Sequence, residues 1–247
     1  MRGEILRIAF YAPSVACINV GGVETFVREV TLRMMRRGHE ASIISGFGDL
    51  SRESQELARR GARFKLFPFI RRYTSSSNAL VHLIRLSLRS ELTPYAAESF
   101  SMLPFGISHL SIRKYDIVAI TSINDSLIRI AIKKGSILHY QGGQIVDWQI
   151  RFLRKFPPER IVACSEFTAT QLRIHGIPCP IDNVPNGVDV NSFYPEPSAR
   201  QRIRDQLQIS DKNVILFIGR FTEEKGVEYL IKSMKSVRRE HPGTILL

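Results

Sequence analysis

Short apolar runs alternate with amphipathic stretches along most of this chain, and the two periods predict strands and helices in turn. Residues 6–12 read as a first strand. In residues 23–37 the apolar positions Val23, Phe26, Val27, Val30 and Met34 fall on one helical face, and Gly38 follows as a C-cap. Residues 40–45 and 63–69 read as further strands. Residues 70–78, with Arg71, Arg72 and three successive serines, read as a loop, followed by a basic helix over 78–92. A broken helix is expected over 93–113, where the pattern is least regular. Regularity returns with a strand at 117–121, a helix at 125–134, strands at 137–141 and 161–165, and a helix at 166–175. Strand and helix in strict alternation predict an α/β domain with a doubly wound parallel sheet over residues 1–185. Residues 186–212 read as a connection. A second unit opens at residue 213 with a strand over 214–218, a helix presenting Val227, Leu230, Ile231, Met234 and Val237, and a strand at 244–247.

The composition is that of an ordinary soluble globular protein, with 44% hydrophobic and 23% charged residues. No stretch reaches the ~20 apolar residues of a membrane-spanning helix. The basic, apolar start has the outline of a leader, but Glu4 and Arg7 interrupt it, and a first strand explains it better. Cys17, Cys164 and Cys179 lack metal-ligand spacing and form no even framework, which favours a reducing, cytoplasmic setting. The net charge of +12 is uneven: residues 1–185 hold 25 basic and 15 acidic residues, against 10 and 8 in residues 186–247. Such a basic N-terminal domain suits a solvated surface, a phosphorylated acceptor or an anionic membrane surface. Nucleic acid is not expected, because no recognition motif accompanies the charge.

Candidate chemistry gathers where predicted strands end. After the strand over 214–218, Gly219-Arg220 breaks the run, Glu223 and Glu224 cross a turn, and Lys225-Gly226 precede a helix. Two fixed cations at a strand-to-helix turn suit a diphosphate. The plain alternative is an exposed arginine, with Lys225 paired to the neighbouring glutamates. Gly21-Gly22 follows the first strand, where glycines permit close approach of backbone to a phosphate or sugar, or else serve a tight turn. The dinucleotide fingerprint G-x-G-x-x-G is absent. His139 and Gln141 stand two residues apart at a strand end and so share a face. Ser165 lacks a nucleophile elbow and reads as an N-cap for the following helix.

Four segments in order resemble one family, the retaining glycosyltransferases of family 4. They are Gly21-Gly22-Val23-Glu24, Ala163-Cys164-Ser165-Glu166, Val184-Pro185-Asn186-Gly187-Val188-Asp189 with Phe193, and Gly219-Arg220 through Glu224-Lys225-Gly226. The resemblance implies the two-domain GT-B fold. Residues 1–185 would form the acceptor-side Rossmann-like domain, and residues 213–247 the first strand–helix–strand unit of a nucleotide-sugar-binding domain. It implies that Arg220 and Lys225, with Gly21 and Gly22, hold a donor diphosphate, and that Ser165, Glu166 and Asn186 line the cleft. Family members often place a histidine near the sugar at the strand end occupied here by His139 and Gln141; either residue fits that place. The implied donor is a nucleoside-diphosphate sugar, with no metal and no further cofactor, and the acceptor a glycan, a lipid-linked sugar or a small molecule. The family's paired donor-gripping glutamates would lie beyond Leu247, so the chain is expected to be a fragment, inactive by itself. Two rivals stand beside this reading: a non-catalytic paralogue acting as a binding module, and a different nucleotide-using α/β enzyme.

Overall fold

A computed structural model describes residues 4–17, 21–69, 94–142, 145–219, 221 and 223–247. The loop and basic helix expected over 70–92 lie outside the described residues. The chain divides into two units, Met1–Asn186 and Gly187–Leu247.

In the first unit seven parallel strands form one sheet in the order β3-β2-β1-β4-β5-β6-β7. They are β1 (Arg7–Tyr11), β2 (Glu40–Gly46), β3 (Arg63–Phe67), β4 (Ile117–Ile120), β5 (Ser136–Tyr140), β6 (Arg160–Ala163) and β7 (Ile181–Asn183). β1 and β2 are buried at every position after the first because helices cover both of their faces. On one face α1 (Gly22–Arg36) and α2 (Arg52–Arg59) close a core of Ile8, Phe10, Val27, Ile43 and Leu57. On the other, α3 (Pro94–Ile112), α4 (Asp147–Lys155) and α5 (Glu166–Ile174) cover Tyr11, Ile44, Ile120, Leu138 and Ile161. Full burial of each such aliphatic side chain contributes ~1.5–3 kcal/mol. The strand order reverses between β1 and β4, which is where open α/β sheets bind ligands, beyond the C-terminal strand ends.

Several local expectations change. The broken helix over 93–113 is one continuous helix, α3, despite Pro104 within it. At Gly106 the helix lets Tyr11 pack close, where a Cβ would stand 2.5 Å from the ring. The α-helix expected over 125–134 is a 3₁₀ segment, Ile123–Ala131, with Ser122 capping it by accepting from the Asn124 N–H at 3.2 Å. A three-residue period turns Ile123 and Ser126, and beside them Asp125 and Ile128, inward. In α1 the deepest row is Glu24, Val27, Arg28 and Thr31, with the predicted Val23, Phe26, Val30 and Met34 only partly buried beside it. The strand expected to reach residue 69 ends at Phe67.

The second unit carries α6 (Pro197–Gln206), in the stretch expected to be plain connection, then β8 (Asn213–Ile215), α7 (Val227–Glu240) and β9 (Thr244–Leu246). β8 and β9 pair in parallel, and Met234 is the buried residue of α7. β8 is shorter than the predicted 214–218, and Ile218 is exposed. Among the described residues of the whole chain, no helix is long and apolar enough to cross a membrane.

Candidate active site

The C-terminal edge of the large sheet gathers the strand-end residues singled out above. β5 delivers His139, and the chain continues into Gln141. The Gln141 amide donates through Nε2 to His139 Nδ1 at 2.7 Å. It also donates to Asn186 Oδ1 at 3.4 Å and accepts from Asn186 Nδ2 at 2.7 Å. One amide therefore joins the ends of β5 and β7. With Nδ1 accepting, this hydrogen-bond pattern assigns the ring proton to Nε2. The Phe26 ring of α1 lies against the imidazole, centroids 4.0 Å apart. Burial pushes the His139 pKa down to about 4, so the ring is neutral near pH 7.

The N-terminal end of α1 stands over the end of β1. Gly21 is its N-cap, in extended backbone, and its carbonyl accepts from the Thr25 N–H at 3.1 Å. Glu24 in the first turn is buried and accepts from the Ser14 hydroxyl at 2.8 Å. Its carboxylate fills the space a side chain at 21 would need, since a Cβ there would meet Oε2 at 1.9 Å. Around Gly22 a Cβ would meet nothing within 4 Å, so the approach to that backbone is open. Across the switch point, the Thr121 hydroxyl at the end of β4 donates to the Tyr11 carbonyl at 3.3 Å.

Ser165 follows β6 and caps α5, accepting from the Thr168 N–H at 3.2 Å. Its hydroxyl also lies 2.8 Å from that of Thr168. This is a capping role with no base at hand for a nucleophile. Glu166 is exposed and pairs with Arg173 at 2.7 Å. The edge thus brings His139, Gln141 and Asn186 into direct contact, while Ser165 and Glu166 are engaged within their own helix. In the second unit Lys225 closes a 3₁₀ turn, Glu223–Lys225, and is exposed. Gly226 follows in the left-handed region at φ +65° and caps α7. Arg220 lies outside the described residues.

Three features escaped the sequence. Phe26 read only as an apolar helix position, with nothing to mark it as the wall against His139. The Ser14–Glu24 pair spans a loop whose path the pattern does not give. Asp125 was only the first residue of a predicted helix, yet it is buried beside Ser99 and Glu98, with Oδ1 unpartnered. Burial raises its pKa to about 7; the Ser99 hydrogen bond opposes that rise and the Glu98 charge adds to it.

A seven-stranded parallel sheet with a polar imidazole–amide site at its C-terminal edge, followed by a strand–helix–strand unit, is an architecture shared with solved glycosyltransferases of the GT-B fold. The comparisons with known proteins agree. Residues 20–192 match the model described as Glycosyltransferase Family 4, and residues 199–247 that described as Glycosyl transferases group 1. The chain belongs to glycosyltransferase family 4. It is similar to the GDP-mannose-dependent alpha-(1-6)-phosphatidylinositol monomannoside mannosyltransferase of Mycolicibacterium smegmatis, 35% identical over 66 residues, covering 27% of this chain and 17% of that protein. It is 36% identical over 91 residues to the D-inositol 3-phosphate glycosyltransferase of Segniliparus rotundus, covering 36% of this chain and 20% of that protein. Anabaena HepE, solved in complex with UDP and glucose, superposes with a TM-score of 0.66 at 17% identity, covering 98% of this chain and 60% of that one. The matched part of the chain thus spans less than two thirds of the length of each of these proteins.

Proposed function

We propose that the whole protein is a retaining glycosyltransferase that moves a sugar from a nucleoside-diphosphate donor to a glycan, lipid-linked or small-molecule acceptor. The observation that carries this reading is the His139–Gln141–Asn186 cluster at the C-terminal edge of a family 4 sheet. A neutral imidazole and two amides are hydrogen-bonding groups suited to sugar hydroxyls. With a pKa of about 4, His139 is a weak proton acceptor, and its Nε2–H serves as a donor to the sugar. The charge that develops as the anomeric bond breaks falls on the leaving diphosphate. Lys225 and, by the family resemblance, Arg220 are the cations for that charge, and no metal or further cofactor is required of the protein. Gly21 and Gly22 contribute the backbone at the α1 N-terminus, with Gly22 on the open side. Ser165 and Glu166 border the acceptor side. The working place is the cytoplasm, with the basic first unit facing an anionic membrane surface when the acceptor is lipid-linked.

The relatives suggest the first donors to try, GDP-mannose and UDP-glucose. Release of GDP or UDP, dependent on added acceptor and with the anomeric configuration retained in the product, supports the reading. Inverted product, or no release from any nucleotide sugar in a full donor panel, overturns it.

A further inference from the structure

At the opposite, N-terminal ends of the same strands the sheet breaks its own pattern. Side chains alternate between faces along a strand. On the face that α3 covers, β1 presents Tyr11, β2 Ile44 and β3 Phe67, all part of the core or packed against it. Two and four residues earlier, the same face carries Ala9, Ser42 and Lys65, then Arg7, Glu40 and Arg63. Apart from the buried Ala9, these positions are polar, and Lys65, Arg7 and Arg63 are cationic. Helix α3 ends at Ile112 and does not cover them. A cleft of about 440 Å³ opens there, lined by these residues together with Ile112, Arg113, Lys114 and Tyr115.

The charge in this cleft is unbalanced. Arg7 pairs with Asp116 at 3.3 Å and Arg63 with Glu40 at 2.9 Å. The side chains of Lys65, Arg113 and Lys114 make no hydrogen bond or ion pair among the described residues. The inner wall is a polar chain: His109 Nε2 lies 3.0 Å from the Tyr115 hydroxyl, and Tyr115 bonds to the buried Ser42. Two groups on this wall register the surrounding cations. Burial first, and then the charges of Lys65 and Arg113, lower the His109 pKa; burial raises that of Tyr115, against the Ser42 hydrogen bond and the charges of Arg113 and Arg63. Cations from β3 and from the α3–β4 turn therefore converge on one concave, hydroxyl-lined space. Lone cations on a convex surface would be hydrated separately; converging cations beside hydroxyl donors match a compact polyanion.

We infer that the cleft between the N-terminal ends of β1–β3 and the turn after α3 binds a phosphate monoester, with Lys65, Arg113 and Lys114 as its cations and Tyr115 as a hydroxyl donor. This site is separate from the strand edge assigned to sugar transfer and does not depend on that assignment. The phosphate comes either from a soluble ligand or from a lipid headgroup.

The test follows the His109 ring resonances by NMR in the 247-residue chain. One arm adds inorganic phosphate, and the other adds phosphatidylcholine vesicles with and without phosphatidic acid. The expected result is a saturable shift with a rise in the His109 pKa, weakened about tenfold or more in Lys65→Gln/Arg113→Gln and unchanged in Lys133→Gln/Lys134→Gln. Response to soluble phosphate assigns a soluble ligand; response to phosphatidic acid alone assigns the headgroup. No movement of His109 in either arm overturns the site. So does equal loss in the two double variants, which would reduce the effect to general surface charge.

Discussion

Gln141 and Asn186, 45 residues apart in sequence, exchange hydrogen bonds of 2.7 and 3.4 Å in both directions between their side-chain amides. The exchange fixes the orientation of the Gln141 amide, and that amide in turn orients His139. Either single alanine substitution strands one amide, so Gln141→Ala and Asn186→Ala should each reduce sugar transfer. A net contribution near 1 kcal/mol per hydrogen bond, less for this exposed pair, predicts little change in folding. A double-mutant cycle on the transfer rate should show coupling of about 0.5–1 kcal/mol or more. Strict additivity would mean that the two residues act separately.

His139 should titrate far below an ordinary histidine. Its folded pKa of about 4 lies under the usual 6.5, so the unfolded chain binds the extra proton first as pH falls. The resulting stability is whole above about pH 6.5 and declines as the pH drops toward 4. The ring resonances of His139 should therefore stay constant from pH 8 to 5.5. An inflection near 6.5 would show that the Phe26 wall does not dehydrate the ring.

Asp125 behaves in the opposite sense. Its folded pKa, raised to about 7 by burial, exceeds that of the unfolded chain. Stability from the neutral carboxyl is complete below about pH 4 and is lost as pH rises through 7. Asp125→Asn keeps a neutral polar group, so it should match the parent near pH 4 and exceed it at pH 8 by roughly 2–4 kcal/mol. Thermal unfolding at the two pH values checks this; a constant difference would mean that Asp125 is not protonated in the fold.

Gly135 and Gly226 both stand at positive φ, +78° and +65°, but only one is crowded. A Cβ at 135 would lie 2.0 Å from the Asp116 carbonyl oxygen, whereas at 226 the nearest atom is 3.8 Å away on the Tyr229 ring. Gly226→Ala should cost about 1 kcal/mol for the left-handed backbone alone. Gly135→Ala should cost roughly 3 kcal/mol or more, because backbone must move. Equal losses in chemical denaturation would contradict the difference in packing.

The alternation of apolar runs and amphipathic stretches was enough to predict the doubly wound sheet, because parallel strands covered on both faces must be apolar throughout. It also placed His139 and Gln141 at a strand end and Ser165 at a helix start. What it misjudged were the polar residues buried by tertiary neighbours. Glu24, Arg28 and Thr31 look like the solvent face of α1, yet they form its deepest row beside Val27. Pro104 and Gly106 look like helix breakers, yet α3 runs through both, and Gly106 seats Tyr11. Asp125 carries no local sign of burial, since its neighbours Glu98 and Ser99 arrive from a distant helix. Asn186 could be matched to a family segment, but its hydrogen bonds to Gln141 required the fold.

In the proposed reaction Lys225 meets the charge that develops on the leaving diphosphate, while neutral hydrogen-bonding groups hold the sugar. GDP or UDP release from GDP-mannose and UDP-glucose by the whole protein, compared with its Lys225→Ala and Asn186→Ala variants, is the decisive measurement. Acceptor-dependent release should fall roughly 10²–10³-fold in Lys225→Ala, the scale of removing one charge-stabilising group. The loss in Asn186→Ala should be smaller. Undiminished release in Lys225→Ala would rule out that role for the second unit's cation.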